Sequence, residues 1–258
     1  MKQIEFRYKR FGFPRRKMIA VPDKMSEMSP TQYLATIRLS KKWITEEEFF
    51  RQFFGLSSSL LAQLPLYYLY RLSALLGFLK DKNGRVDSFY LPELPAKLMA
   101  PLPKLKGMTL QQFMTVDTFA SWYMAFEKNE YLDSFIATLY MKKEESFSKN
   151  GGKPLNLEKR IPTIKRLPFD LKYSILMNWV LVKEWLSSAY PALFPESKPS
   201  TNSRGDKIRN KPVDWLALFD TFVGDNIADM DAYKELPALD AFRIMNRRIA
   251  DSKKKTMT

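Results

Sequence analysis

The 258-residue chain contains no histidine and no cysteine. This absence excludes the commonest general base and zinc ligand, the thiolate nucleophile, every disulfide and every triad that depends on histidine. The nine glycines are scattered and form no phosphate-binding loop. Serine–lysine or paired-carboxylate chemistry stays open, because residues close in space need not be close in sequence. We expect a protein that is not an enzyme and that uses no cofactor.

Two groups of acidic residues are the remaining candidates for chemistry. One consists of Asp225, Asp229 and Asp231. The other consists of Asp117, Glu127, Glu130 and Asp133. The first group lacks the alternating oxygen ligands and internal glycine of a calcium loop, and helix capping or solvated helix faces explain both groups. We therefore predict no metal site and no catalytic site.

Aromatic residues are abundant, with 19 Phe, 12 Tyr and 5 Trp, and the net charge is +14. The charge is uneven: residues 1–24 carry +6, residues 196–212 carry +3 and residues 243–258 carry +5, whereas residues 213–242 carry −6. Basic segments at the ends and in a polar stretch are typical of arms that contact an acidic partner, although basic tails can also serve solubility alone.

The basic N-terminus has the pattern of a β-hairpin. Two segments rich in β-favouring residues, 2–8 and 16–21, flank a stretch with Gly12 and Pro14. Cations alternate there with aromatic residues, which is the composition used on single-stranded nucleic acid; the same hairpin could instead lie on the sheet edge of a partner protein. The candidate contact residues are Arg7, Lys9, Arg10, Phe11, Phe13, Arg15, Arg16 and Lys17, together with Arg247 and Arg248 of the basic C-terminal tail.

Beyond the hairpin, the sequence predicts mainly helices. Ser29, Thr45 and Thr109 are each followed three residues later by Gln or Glu, which is the pattern of a helix N-cap before an apolar-periodic run. The fold class predicted is mainly α: an irregular helical bundle with an N-terminal β-hairpin and a second short hairpin near residues 78–91, around Asn83-Gly84. The apolar window 60–79 contains Pro65 and Arg71, so we predict a kinked, buried helix and no membrane contact.

The predicted domain organisation has four parts. They are a basic hairpin arm (1–24), a helical body (25–194), a basic polar linker (195–212) and a C-terminal helix pair with a basic tail (213–258). Whether this pair docks on the body or moves separately is left open. The N-terminus lacks the apolar core and cleavage site of a signal peptide, so we expect the protein in the cytoplasm.

The segment 19–33, IAVPDKMSEMSPTQY, resembles the opening of small proteins encoded by tailed phages and prophages. Three further segments are similar to that group: the residue pattern of 110–140, the Trp-bearing helix that ends at 190–194, and the C-terminal helix pair with Trp215. The resemblance implies a role in virion morphogenesis, as a tail-assembly chaperone or an accessory tail or neck protein. It implies other phage structural proteins as partners and the host cytoplasm as location, with incorporation into the virion left open.

Two functions follow as hypotheses. The first is a non-enzymatic phage assembly or structural protein that acts through protein–protein contacts. The alternative is a nucleic-acid-binding protein that uses the basic aromatic hairpin and the basic C-terminal tail. Oligomeric state does not follow from the sequence.

Overall fold

A computed structural model describes residues 1–10, 13–80, 86–142, 157–195, 214–224 and 226–256. These residues contain eleven α-helices and two small antiparallel sheets, one of two strands and one of three. The prediction of a mainly α protein with an N-terminal hairpin is confirmed. The chain forms two compact units, an N-terminal unit, Met1–Val86, and a C-terminal unit, Asp87–Thr258. The predicted helical body, 25–194, contributes to both.

The N-terminal unit begins with a two-stranded ribbon. Strand β1, Lys2–Arg10, pairs with β2, Phe13–Val21, in a continuous antiparallel register from Lys2↔Val21 to Arg10↔Phe13. Ile19 and Val21 are buried, so the ribbon is held to the unit at the end where the chain enters and leaves it. An isolated hairpin is at best marginally stable in water, and this packing supplies its support.

The described residues of the N-terminal unit also form four α-helices: α1, Pro30–Ser40; α2, Glu46–Phe54; α3, Ser58–Gln63; and α4, Leu66–Leu75. The cap predicted at Ser29 is reciprocal, since the Gln32 backbone N–H donates to Ser29 Oγ and the Ser29 backbone N–H donates to Gln32 Oε1. Gln32 also donates from Nε2 to the backbone carbonyl of Phe53 at 3.2 Å, which ties α1 to α2.

The prediction of one buried, kinked helix over 60–79 is wrong. Leu64 is extended and Pro65 occupies the N-cap position of α4, so the chain forms two separate helices, α3 and α4. The residue before a proline is pushed out of the helical region, which ends α3 there. Of the ten residues of α4, only Leu72 is buried.

The prediction of a second hairpin near residues 78–91 is also wrong for the residues that the structure describes there. Residues 76–80 form a 3-10 helix, and residues 86–91 belong to no strand. The predicted turn at 81–85 lies outside the described residues. Strand propensity in a short apolar run is weak evidence, because packing decides between helix and strand.

The C-terminal unit contains a three-stranded sheet and seven α-helices within its described residues. The strands are β3, Glu93–Leu94; β4, Leu98–Met99; and β5, Met141–Lys142. The helices are α5, Leu110–Phe126; α6, Asn129–Leu139; α7, Ile161–Lys165; α8, Phe169–Ala189; α9, Trp215–Val223; α10, Met230–Glu235; and α11, Ala238–Thr256. Strands β3 and β4 lie in a proline-rich stretch that contains Pro92, Pro95, Pro101 and Pro103.

The C-terminal helix pair is part of the core of this unit. Phe219 of α9 and Phe242 of α11 are buried. The backbone N–H of Leu110 donates to the carbonyl of Leu236, and that of Ala238 donates to the carbonyl of Met108. The pair therefore packs on the rest of the C-terminal unit. The predicted linker, 195–212, lies outside the described residues except for Pro195.

Buried tyrosines make the stability of the C-terminal unit sensitive to alkaline pH. Burial raises the pKa of both Tyr90 and Tyr140, and the Tyr140 hydroxyl donates to the Leu91 carbonyl at 2.7 Å. In the unfolded chain a tyrosine ionises near pH 10. The folded state keeps its protons above that pH, so stability is full below about pH 10 and is lost as the pH rises further, by about 1.4 kcal/mol per pH unit for each tyrosine.

The variant Tyr140→Phe tests this expectation. Urea unfolding of wild type and variant at several pH values between 9 and 11.5 should show a shallower loss of stability in the variant above pH 10, although the variant is less stable at neutral pH because the Leu91 carbonyl loses its donor. Equal slopes for the two proteins would contradict it.

Candidate interaction surfaces

The hairpin exposes cations around a single carboxylate. Arg7 lies directly opposite Arg16 in the ladder, and Glu5 lies two residues before Arg7, so the three side chains share one face. Arg7 Nε donates to Glu5 Oε1 at 3.5 Å, and Arg16 Nε lies 3.3 Å from the same oxygen. The side chains of Arg7 and Arg16 are 74% and 69% exposed. Two guanidinium groups thus hold one carboxylate at the surface of the ribbon.

The other predicted hairpin contacts fall into three classes. Phe13 and Arg15 are exposed, as a contact surface requires. Lys17 is half-buried and donates from Nζ to the backbone carbonyl of Gly55, so it fastens the ribbon to the end of α2. The remaining predictions lie outside the described residues, namely the side chains of Lys9 and Arg10 and the whole of Phe11.

The two C-terminal arginines differ in role. Arg247 is exposed, and its Nε lies 3.8 Å from Asp251 one turn along α11. Arg248 donates from Nη1 to the Phe222 carbonyl at 2.7 Å, and its guanidinium lies 5.3 Å from the centre of the Phe222 ring. Arg248 therefore caps the end of α9. Both belong to the C-terminal unit, whereas the hairpin belongs to the N-terminal unit.

Helix α4 is a surface that sequence reasoning missed. Leu66, Tyr67 and Tyr70 are 81%, 64% and 76% exposed. The Arg71 guanidinium lies 5.7 Å from the centre of the Tyr67 ring, within cation–π range. Residues 49–80 contain no Asp or Glu, and residues 1–86 contain 16 Lys and Arg against 7 Asp and Glu. The N-terminal unit thus presents an exposed apolar and aromatic helix in cationic surroundings.

An acid at the base of the hairpin is already neutralised within the unit. Lys2 Nζ lies 2.9 Å from Asp23 Oδ1, and this hydrogen bond is the largest cause that lowers the pKa of the Asp23 carboxyl. The N-terminal ammonium lies 3.4 Å from Asp23 and 3.2 Å from Glu27. These contacts favour the ionised form of both carboxylates by lowering the pKa of each, and the negative charges offset part of the local positive charge.

The C-terminal unit carries a groove between α5 and α9. Its volume is about 320 Å³. Met114, Phe119 and Trp122 line it from α5, and Leu216 and Phe219 line it from α9. Leu216 is 71% exposed and Trp122 is 39% exposed at its rim. The groove is apolar and brings together no set of ionisable groups.

Asp117 holds three elements of the C-terminal unit together. Its carboxylate is fully buried. Oδ1 accepts a hydrogen bond from Trp179 Nε1 at 3.1 Å and lies 2.8 Å from Lys183 Nζ, while Oδ2 accepts from Trp215 Nε1 at 2.9 Å. Both oxygens are occupied by donors from α8 and α9. The network therefore positions α5, α8 and α9 relative to one another. Its polar atoms bind each other and do not line a cleft.

The four acids grouped in the sequence do not form one site. Asp133 is buried and pairs with Lys172 at 2.8 Å, in a network separate from that of Asp117. Glu127 caps the end of α5 with a left-handed backbone, at φ 55°. Within the described ranges, no three acidic residues lie close enough together to hold a metal ion.

Comparison of the chain with protein-family models, with curated proteins and with solved structures gives no match. Among the helices described, none is long and apolar enough to span a bilayer.

Proposed function

We propose that this protein is a non-enzymatic assembly protein of tailed phages that binds other phage structural proteins, as a tail-assembly chaperone or an accessory tail or neck protein. The observation that carries the proposal is α4, which leaves Leu66, Tyr67 and Tyr70 exposed. Contiguous apolar surface of this kind marks interaction sites on soluble proteins. Tyrosine and arginine are also enriched at the energetic centres of protein interfaces, and Arg71 lies against Tyr67.

The resemblance of segment 19–33 to phage proteins gives the class of partner. That segment runs from the base of β2 into α1, so it belongs to the same unit as α4. The polar networks around Asp117 and Asp133 join helices of the other unit, and their chemistry is that of structural support. The exposed residues of α4 and the resemblance of segment 19–33 together support a binding role for the N-terminal unit.

The test of the proposal is complex formation. The full chain is mixed with purified tail-tube and tape-measure proteins of the genome that encodes it, and the mixtures are analysed by size-exclusion chromatography. Co-elution of the chain with one of them is expected. Separate elution in every mixture would count against the proposal.

The double variant Leu66→Ser, Tyr70→Ser should weaken such a complex by roughly tenfold or more, because it removes large side chains from the centre of the surface. Its stability should stay within about 0.5 kcal/mol of wild type, since both side chains are exposed. Leu102→Ser is the matched control, because Leu102 is 59% exposed but lies in the C-terminal unit. A dissociation constant unchanged by the double variant would remove α4 from the binding surface.

A further inference from the structure

The ribbon of β1 and β2 has an open edge along β1. Nine residue pairs follow one another without a bulge, and among the described residues β1 pairs with β2 alone. The outer edge of such a strand carries a row of backbone N–H and C=O groups that can pair with another chain. β2 packs on its own unit, because Ile19 and Val21 are buried and the Lys17 ammonium binds the Gly55 carbonyl, whereas none of the β1 side chains that the structure describes is buried. The edge open to a partner is therefore that of β1.

Space for another segment adjoins the first residues of β1. A cleft of about 400 Å³ lies between β1 and α4. It is lined by Lys2, Gln3, Ile4, Arg71, Ala74 and Leu75. Apolar side chains thus combine with cationic ones in this cleft, and its lining contains no carboxylate.

The charges on the ribbon define the chemistry of the segment. Arg7 and Arg16 already share the Glu5 carboxylate on one face. A carboxylate on a strand added beside β1, directly across from Arg7, would lie at cross-strand contact distance from it. A second copy of this ribbon would oppose it with the same excess of cations, seven Lys and Arg against one Glu within residues 2–21, and like charges repel. The edge therefore favours an acidic strand over its own copy.

We propose that β1 accepts an extended acidic segment of a partner protein as a third, added strand. Its acidic residues alternate with apolar ones, so that one side meets Arg7, with Arg16 one strand farther away on the same face, and the other side meets the face of Ile4. Main-chain hydrogen bonds supply affinity, and the alternating side chains supply specificity. That the partner is a phage protein rests on the proposed function, whereas the recognition chemistry rests on the ribbon alone.

The experiment uses the full chain and a fluorescent nine-residue peptide of alternating glutamate and valine, with the lysine–valine peptide as its counterpart. Anisotropy should show binding of the glutamate peptide, and hydrogen exchange should slow at residues 2–10. The double variant Arg7→Glu, Arg16→Glu should bind the glutamate peptide on the order of tenfold more weakly and gain affinity for the lysine peptide. This gain shows that the variant is folded. Arg243→Glu, Arg247→Glu, on exposed positions of α11, is the matched control and should bind like wild type.

Three results would overturn the proposal: equal affinity of wild type and the hairpin variant for the glutamate peptide, protection confined to residues outside 2–10, or binding of oligothymidylate at 2–10 without binding of the peptide. The last result would assign the hairpin to nucleic acid. A tail-protein complex that survives Arg7→Glu, Arg16→Glu would overturn strand addition and leave the assembly function intact. Peptide binding without any tail-protein complex would support strand addition and refute the assembly function.

Discussion

Replacement of Asp117 by alanine is expected to lower the free energy of unfolding of the C-terminal unit by about 3–5 kcal/mol. The carboxylate accepts hydrogen bonds from the indole N–H groups of Trp179 and Trp215 and pairs with Lys183. Its removal leaves two buried indole donors without an acceptor and an ammonium group without its counter-charge. Urea unfolding monitored by tryptophan fluorescence measures the loss.

Two variants calibrate this expectation. Asp117→Asn keeps an acceptor oxygen but not the charge, so its free energy of unfolding should lie between those of wild type and Asp117→Ala. Asp231→Ala removes a carboxylate that is 89% exposed and pairs with Lys234, and it should cost about 0.5 kcal/mol or less. A loss below about 1 kcal/mol for Asp117→Ala would show that the buried network does not hold the helices together.

Replacement of Phe113 by alanine should be similarly costly, at about 3–5 kcal/mol. Phe113 is fully buried at the centre of an aromatic cluster. Its ring centre lies 4.6 Å from that of Phe242, 5.1 Å from that of Trp179 and 5.3 Å from that of Trp215. Truncation leaves a cavity between α5, α8, α9 and α11 and removes edge-to-face pairs that contribute beyond their buried area.

Two comparisons separate the cavity from a general effect of aromatic loss. Phe113→Leu keeps most of the volume and should lose clearly less stability than Phe113→Ala. Phe126→Ala removes a ring that is 60% exposed at the end of α5, and its free energy of unfolding should stay within about 0.5 kcal/mol of wild type. Equal losses for Phe113→Ala and Phe126→Ala would contradict the placement of the core.

Helix starts could be predicted because caps are local. Ser29, Thr45 and Thr109 each accept a hydrogen bond from the backbone N–H three residues later. Only at Ser29 is the cap reciprocal. Gln112, three residues after Thr109, instead donates to the Thr138 carbonyl and ties α5 to α6. This contact between α5 and α6 depends on tertiary packing, so the sequence pattern could not predict it.

The exposed helix α4 could not be predicted from its composition. An apolar run with Leu and Tyr predicts burial when a single chain is considered, because burial of such residues is favourable. Pro65 separates α3 from α4, and α4 buries Leu72 alone. The helix for which the sequence predicted burial, and which the structure shows exposed, is the surface to which we assign partner binding.

The buried carboxylate left a signal in the sequence. Asp117 lies on the apolar stripe of α5, one position after Val116 and four after Phe113, where a charged residue needs buried partners. Buried tryptophans need an acceptor for the indole N–H. The identities of Trp179, Trp215 and Lys183 as partners depend on long-range packing and could not be read from spacing.

Binding of phage structural proteins by the N-terminal unit, through β1 and α4, can be followed by hydrogen exchange. The full chain is measured before and after addition of the tail-tube and tape-measure proteins of the same genome. We predict slower exchange at residues 2–10 and 66–75 and unchanged exchange in the core helix α8. Unchanged exchange throughout residues 1–86 in the presence of these proteins would contradict binding through this unit.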